Sequence, residues 1–289
     1  MAKQLRLPAY MASARIAGAL HQDAGAGTAV KKNGRKKLRL ELHRAMDRKP
    51  WIQHTFLRDE ANEAGVMAVF GVCLRADHYD HVNVAYIYGA AGTGKTTILQ
   101  ATAQLLCDVD PDFQAPILSS EDFYQDVVTA YQIKSFDKFK RAYRKPDWLM
   151  LDGIHHLKNK QRTQEELLHL LDHRERAGKV TIFTANVPPG ELVGIDESLL
   201  SKMLSGPVSQ IHAPTPKKPS DLDENWGEGS KAKVLPAEEW HAILDAVGHD
   251  LRTVRSVLAT LWVERSSCDT PASLDQVLLR LSGPPAAKD

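Results

Sequence analysis

Gly89-Ala90-Ala91-Gly92-Thr93-Gly94-Lys95-Thr96 sets a lysine and a hydroxyl behind a run of small residues, in the spacing G-x-x-x-x-G-K-[ST]. The glycines let the backbone curl until successive N–H groups point inward at phosphate oxygens. Lys95 then reaches the β- and γ-phosphates, and Thr96 offers its hydroxyl to a magnesium ion. Thr97 follows in a helix whose positive end faces the anion. Gly89 through Thr97 therefore reads as a nucleotide phosphate loop. The chain has no Asn-Lys-x-Asp guanine-reading motif, so ATP or ADP is the expected ligand.

Such a site needs an acid at the end of a neighbouring strand. Asp147-Trp148-Leu149-Met150-Leu151-Asp152 reads as a buried strand ending in a carboxylate that can hold magnesium through water. A plain strand-end cap is the alternative for Asp152. Gly153 follows, where a second acid would activate water. Loss of a general base costs ~10²–10⁴ in rate, so the expectation is nucleotide binding with slow hydrolysis. Glu121, Glu165 or Glu166 are the candidate substitutes from elsewhere in the chain. His155-His156 are adjacent, with no Cys or third His at ligand spacing, and read as turn residues rather than metal ligands. No Ser/His/Asp or Cys/His nucleophile arrangement has sequence support.

The elements that must position these residues alternate. Short apolar runs predict strands over 84–88, 116–118, 148–151, 180–184 and 208–211. Helical patterns lie between them, over 96–107, 120–132, 136–144 and 164–176. Strand and helix in alternation predict an α/β fold with a parallel sheet. Thr163-Gln164-Glu165-Glu166 reads as a capping box opening the last of these helices. Pro214, Pro216, Pro219, Gly227 and Gly229 interrupt 214–235 as a loop. Beyond it, 236–247, 250–263 and 271–281 read as helices, with Pro236 and Pro271 at first-turn positions. The expected domains are a basic N-terminal extension (1–50), a nucleotide-binding α/β domain (51–213), the loop, and a helical lid (236–289).

The net charge of +1 conceals a division. Residues 1–50 hold 12 Lys/Arg against 3 Asp/Glu, and the remainder 25 against 33. A basic head on an acidic body points to an anionic partner. The stretch 21–36 is rich in Gly and Ala and predicts a mobile segment, while 37–48 fits a short basic helix. Lys31, Lys32, Arg35, Lys36, Lys37 and Arg39 would attract DNA phosphates non-specifically; a solvated tail or an acidic protein partner is the alternative. Cys73, Cys107 and Cys268 lie far apart and read as reduced thiols of a cytoplasmic protein. No apolar run approaches the ~18 residues of a membrane helix, and Met1 to Leu20 lacks the compact apolar stretch of a secretory signal.

Ile87-Tyr88 with the phosphate loop, Ser119-Ser120-Glu121-Asp122-Phe123-Tyr124-Gln125-Asp126-Val127, Phe139-Lys140-Arg141-Ala142-Tyr143, Thr163 to His169, and Thr184-Ala185-Asn186-Val187-Pro188 follow one another in a particular order. In that order they resemble the AAA+ region of the DnaA/Hda replication-protein family, from Thr55-Phe56 to about Leu261. The resemblance implies a P-loop NTPase module with a small helical lid. It implies a nucleotide-dependent switch or assembly factor in replication initiation or its regulation. Asn186 falls at the position that senses the γ-phosphate, and Arg252 at the lid position whose guanidinium closes on phosphate; solvated helix arginines are the alternative for Arg252 and Arg255. Phe56 would lie by the adenine or in the core. Lys202 stands where the family carries an arginine finger, which keeps the charge but loses the bidentate fork.

Implied partners are replication proteins (initiator, replicative helicase or clamp) and a nucleotide-dependent homo-oligomer, with no membrane. With the sequence ending at Asp289, the expectation is of no C-terminal helix-turn-helix, in which the chain would be more Hda-like. A helicase loader of a phage or mobile element is a related reading. A non-hydrolysing nucleotide-bound adaptor is the reading from a different class.

Overall fold

The computed structural model describes residues 59–74, 82–109, 114–217, 219, 235–248, 250–267 and 273–282. The expectations for the basic head, Phe56 and Pro271 lie outside these residues. The described residues fall into two compact units: those within 63–90 and 95–211 form the first, and those within 59–62, 91–94 and 212–282 the second.

The first unit is built on five parallel strands: β1 (Val84–Tyr88), β2 (Ile117–Ser119), β3 (Trp148–Asp152), β4 (Val180–Ala185) and β5 (Val208–Gln210). They lie in the order β2-β3-β4-β1-β5. β1, β3 and β4 form the middle of the sheet, and their apolar runs are buried almost throughout. Helices cover both faces of such a sheet, so central strands carry continuous rather than alternating apolar runs. β5, at the edge, has no fully buried residue.

The helices of this unit are α1 (Glu63–Leu74), α2 (Lys95–Val109), α3 (Ser120–Gln132), α4 (Phe136–Arg144), α5 (Gln161–Arg176) and α6 (Glu197–Met203). Ser119 caps α3, its Oγ accepting the Asp122 N–H at 3.0 Å. Phe123, Phe139 and Tyr143 stack into one buried aromatic cluster beneath α3 and α4. Full burial of each large side chain contributes roughly 1.5–3 kcal/mol.

Two local expectations need correction. The structure starts α5 at Gln161, with Lys160 at the cap and no side-chain capping bond. Thr163 is buried inside the first turn instead. Gln164 fixes the helix start, its amide nitrogen donating to the Leu157 and Gly194 carbonyls, both at 2.8 Å. Its amide oxygen accepts the Asp196 N–H at 2.6 Å. A tertiary anchor has displaced the local box. Pro236 likewise precedes its helix as the cap residue rather than occupying the first turn.

The second unit packs α7 (Ala237–Val247), α8 (Leu251–Ser267) and α9 (Leu274–Ser282) around Trp240, Ile243, Val254, Val257, Leu258, Leu261 and Val277. Asp250 caps α8 by accepting from the Arg252 N–H at 3.0 Å. No helix among the described residues is long and apolar enough to cross a membrane.

Candidate nucleotide site

β1, β3 and β4 end side by side, which brings the segments that follow them to one edge of the sheet. Ligands of open α/β sheets bind outside these carboxyl ends. The loop after β1 turns through two left-handed glycines, Gly92 (φ 80°) and Gly94 (φ 94°). A side chain strains that conformation, and it is what aims successive N–H groups inward. Gly89 and Thr93 are buried, and Ala90 and Ala91 are exposed. Lys95 is buried, and its Nζ donates to the Gly89 and Ala90 carbonyls at 2.8 and 2.7 Å. Thr96 and Thr97 lie in the first turn of α2.

Asp152 is the hub. Its Oδ2 accepts from Thr96 Oγ1 at 2.6 Å, and its Oδ1 accepts from Thr184 Oγ1. Thr184 is fully buried, and its oxygen also takes the Gly153 N–H at 3.0 Å. A hydroxyl and a carboxylate converging at this distance are the hard oxygen donors that magnesium prefers. The donor set therefore fits that ion.

Gly153 has φ 75°, and a Cβ there would meet the His156 ring carbon Cδ2 at 2.8 Å. The left-handed turn starts a 3-10 segment, Ile154–Leu157, that carries His155 and His156. Their rings meet at a tilt of 37°, with centroids 4.2 Å apart. His156 Nδ1 approaches Glu121 Oε1 at 3.5 Å. His155 faces Asn186, with Nε2 3.0 Å from the carboxamide Nδ2. Burial, then the neighbouring His156 and Lys95, push the His155 imidazole below its ordinary range, against Asp152 and Glu121. The ring is neutral at pH 7.

The first unit thus gathers Lys95, Thr96, Asp152 and Asn186 at the ends of adjacent strands. Glu165 and Glu166 are engaged elsewhere, with Gln161 at 3.4 Å and Tyr131 at 3.1 Å. Lys202, on α6, pairs with Asp172 at 3.0 Å and with Glu175, both on α5. The hydrogen bonds it donates to Glu175 and Asp172 raise its proton affinity. Arg252 belongs to the second unit, exposed in the first turn of α8. Sequence reasoning missed two participants, Thr184 and His155. A threonine closing an otherwise apolar buried strand was the available signal for the first.

A parallel sheet ordered β2-β3-β4-β1-β5, with a glycine-rich loop after β1 and an acid ending β3, defines a P-loop NTPase of the AAA+ class. The profile of the bacterial DnaA ATPase domain matches residues 48–210. The chain belongs to that family. Among curated relatives it is 39% identical over 132 residues to the chromosomal replication initiator protein DnaA of Dechloromonas aromatica, covering 46% of this chain and 28% of that one. Over 185 residues it is 30% identical to DnaA of Kosmotoga olearia, covering 64% and 41%. The chain thus spans well under half the length of these relatives.

Among solved structures, domain III of the Thermotoga maritima DnaA superposes with TM-score 0.68 at 25% identity, covering 78% of this chain and 93% of that one. AMPPCP-bound DnaA from Aquifex aeolicus gives 0.61 at 23%, covering 74% and 67%, a likeness of fold.

Proposed function

We propose that this chain binds ATP or ADP with magnesium and works as a nucleotide-dependent switch or assembly factor in DNA replication initiation or its regulation, with slow hydrolysis. The observation that carries the reading is the 2.6 Å bond between Thr96 Oγ1 and Asp152 Oδ2, directly behind the phosphate loop. Magnesium, when bound, neutralises charge on the phosphate oxygens. Thr96 and Asp152 are the residues to hold it, and Thr184 orients the Asp152 carboxylate. Lys95 exchanges its loop carbonyls for phosphate oxygens. Asn186 addresses the γ-phosphate, and Arg252 takes the lid role that the family resemblance assigns it. AMPPCP in the Aquifex aeolicus relative supports a nucleotide as the ligand.

A second reading, the non-hydrolysing adaptor, is favoured by two observations. Gly153 leaves no acid beside Asp152, and Lys202 is tied to Asp172 and Glu175 of its own chain. Affinity capture with magnesium and either ATP or ADP, beside Lys95→Ala as control, separates the readings. Nucleotide-dependent capture of a replication protein, abolished in Lys95→Ala, supports the switch. Capture of a replicative helicase would specify a loader. Bound nucleotide that is never turned over supports the adaptor. An unaltered nucleotide affinity in Lys95→Ala would sink the site assignment itself.

A further inference from the structure

The reaction edge of the sheet contains an imidazole for which the phosphate loop, the magnesium ligands and the lid have no use. His155 is half-buried on the turn that Gly153 starts. The Asn186 backbone N–H donates to Nδ1 at 3.4 Å, and the carboxamide nitrogen, which can only donate, lies 3.0 Å from Nε2. Both contacts ask the ring for an acceptor, which a neutral imidazole supplies at one nitrogen and an imidazolium at neither. The Asn186 side chain is tied to the ring, its amide plane is fixed, and the second carboxamide N–H is left to face outward.

We propose that His155 is the positioning residue of Asn186, holding its carboxamide in the orientation that distinguishes a nucleoside triphosphate from a diphosphate. The inference rests on the nucleotide reading above and assigns a part of that site to a residue outside its motifs. Asn186 is exposed after β4, and among the described residues its carboxamide makes no other hydrogen bond, so without the imidazole the amide rotates. An imidazolium, with two donors and no acceptor, would expel it. The charged and titratable groups facing His155 are His156 on its own turn, Lys95 on α2, Asp152 on β3 and Glu121 on α3. Burial, His156 and Lys95 oppose protonation, while Asp152 and Glu121 favour it, and the balance keeps the acceptor free at neutral pH.

The test uses the full chain and calorimetric affinities for Mg-ADP and for Mg-ATPγS at pH 7.5. His155→Ala and Asn186→Ala are each expected to lower the preference for Mg-ATPγS over Mg-ADP about tenfold, the worth of one hydrogen bond. The double variant should lose no more than either single one, because the two residues act as a unit. His155→Gln, which retains an acceptor, should restore much of the preference. In the parent, the preference should hold down to about pH 6.5, the ordinary histidine value, and decline only below it, as the pH falls through the lowered value of His155. Multiplying losses in the double variant, or an unaltered preference in His155→Ala, would overturn the inference while leaving the nucleotide site standing. A parent that binds neither nucleotide overturns both.

Discussion

The two ends of the central sheet treat buried polar groups in opposite ways. At the ends where β3 and β4 begin, Arg174 is fully buried and closed in. Its Nη1 donates to the Tyr143 and Pro146 carbonyls at 3.0 and 2.9 Å, and its Nη2 to those of Asp147 and Val180 at 3.3 and 2.6 Å. Its Nε donates to Thr181 Oγ1 at 3.0 Å. At the ends where β3 and β4 finish, Lys95 is also buried, but its partners are the carbonyls of its own loop, and Asp152 is held by hydroxyls. The first arrangement joins the starts of two strands to the end of α4 and has no group left to offer. The second consists of bonds that a phosphate or a cation can replace. A buried charge is a fixture where its partners are structural, and a site where they are exchangeable.

The sharpest way to break this contrast is Arg174→Met. Removing the guanidinium takes a donor from four carbonyls and a hydroxyl, and truncating one side of such a buried charged cluster costs ~3–5 kcal/mol. Lys95→Ala, which frees the Gly89 and Ala90 carbonyls, should stay within about 1 kcal/mol of the parent in the same urea titration. Equal losses in the two variants would show that the ends do not differ as described.

A smaller effect is expected at Gly153. Restoring the missing acid with Gly153→Asp forces a side chain into a left-handed position against His156, at a cost of about 1 kcal/mol. Single-turnover hydrolysis should not rise, because the turn directs a Cβ at the imidazole. A tenfold gain in rate would show that the turn is no obstacle.

The smallest effect separates the two ends by histidine. Burial, then Arg144, Lys179, Arg174 and Arg176, lower the proton affinity of His173, as burial, His156 and Lys95 lower that of His155. For a base whose folded value lies below the unfolded one, stability is complete above about pH 6.5 and is lost as the pH falls through the folded value. Both should therefore destabilise the fold on acidification. His173 is exposed on α5 and takes part of its shift, after burial, from neighbouring cations, so 0.5 M salt should move its NMR titration towards the ordinary value. His155, held by burial and Asn186, should move less. Equal salt responses would erase the distinction.

Much of the first unit was legible in the sequence because its signals are local. The apolar run that became β1 and the helical patterns that became α3 and α4 have the same limits in the structure. β2 begins one residue later than its pattern suggested and β4 extends one further, since strand ends depend on the neighbours they pair with. The box at Thr163 failed for a related reason: Gln164 found distant partners better than the local ones.

The sequence by itself determined the class of protein and offered the first residues of its candidate site. A glycine-rich loop, its lysine and threonine, and an apolar strand ending in aspartate are short-range patterns whose chemistry depends on spacing along the chain. Only the tertiary structure decided which other groups join them. Thr184 lies 32 residues from Asp152 and His155 lies 31 from Asn186. Parallel strands are joined through helices, so residues that meet at their ends are far apart in sequence and leave no spacing to read. Gly153 shows both limits together. Its sequence reveals an absent acid; its left-handed backbone reveals the turn that delivers a histidine.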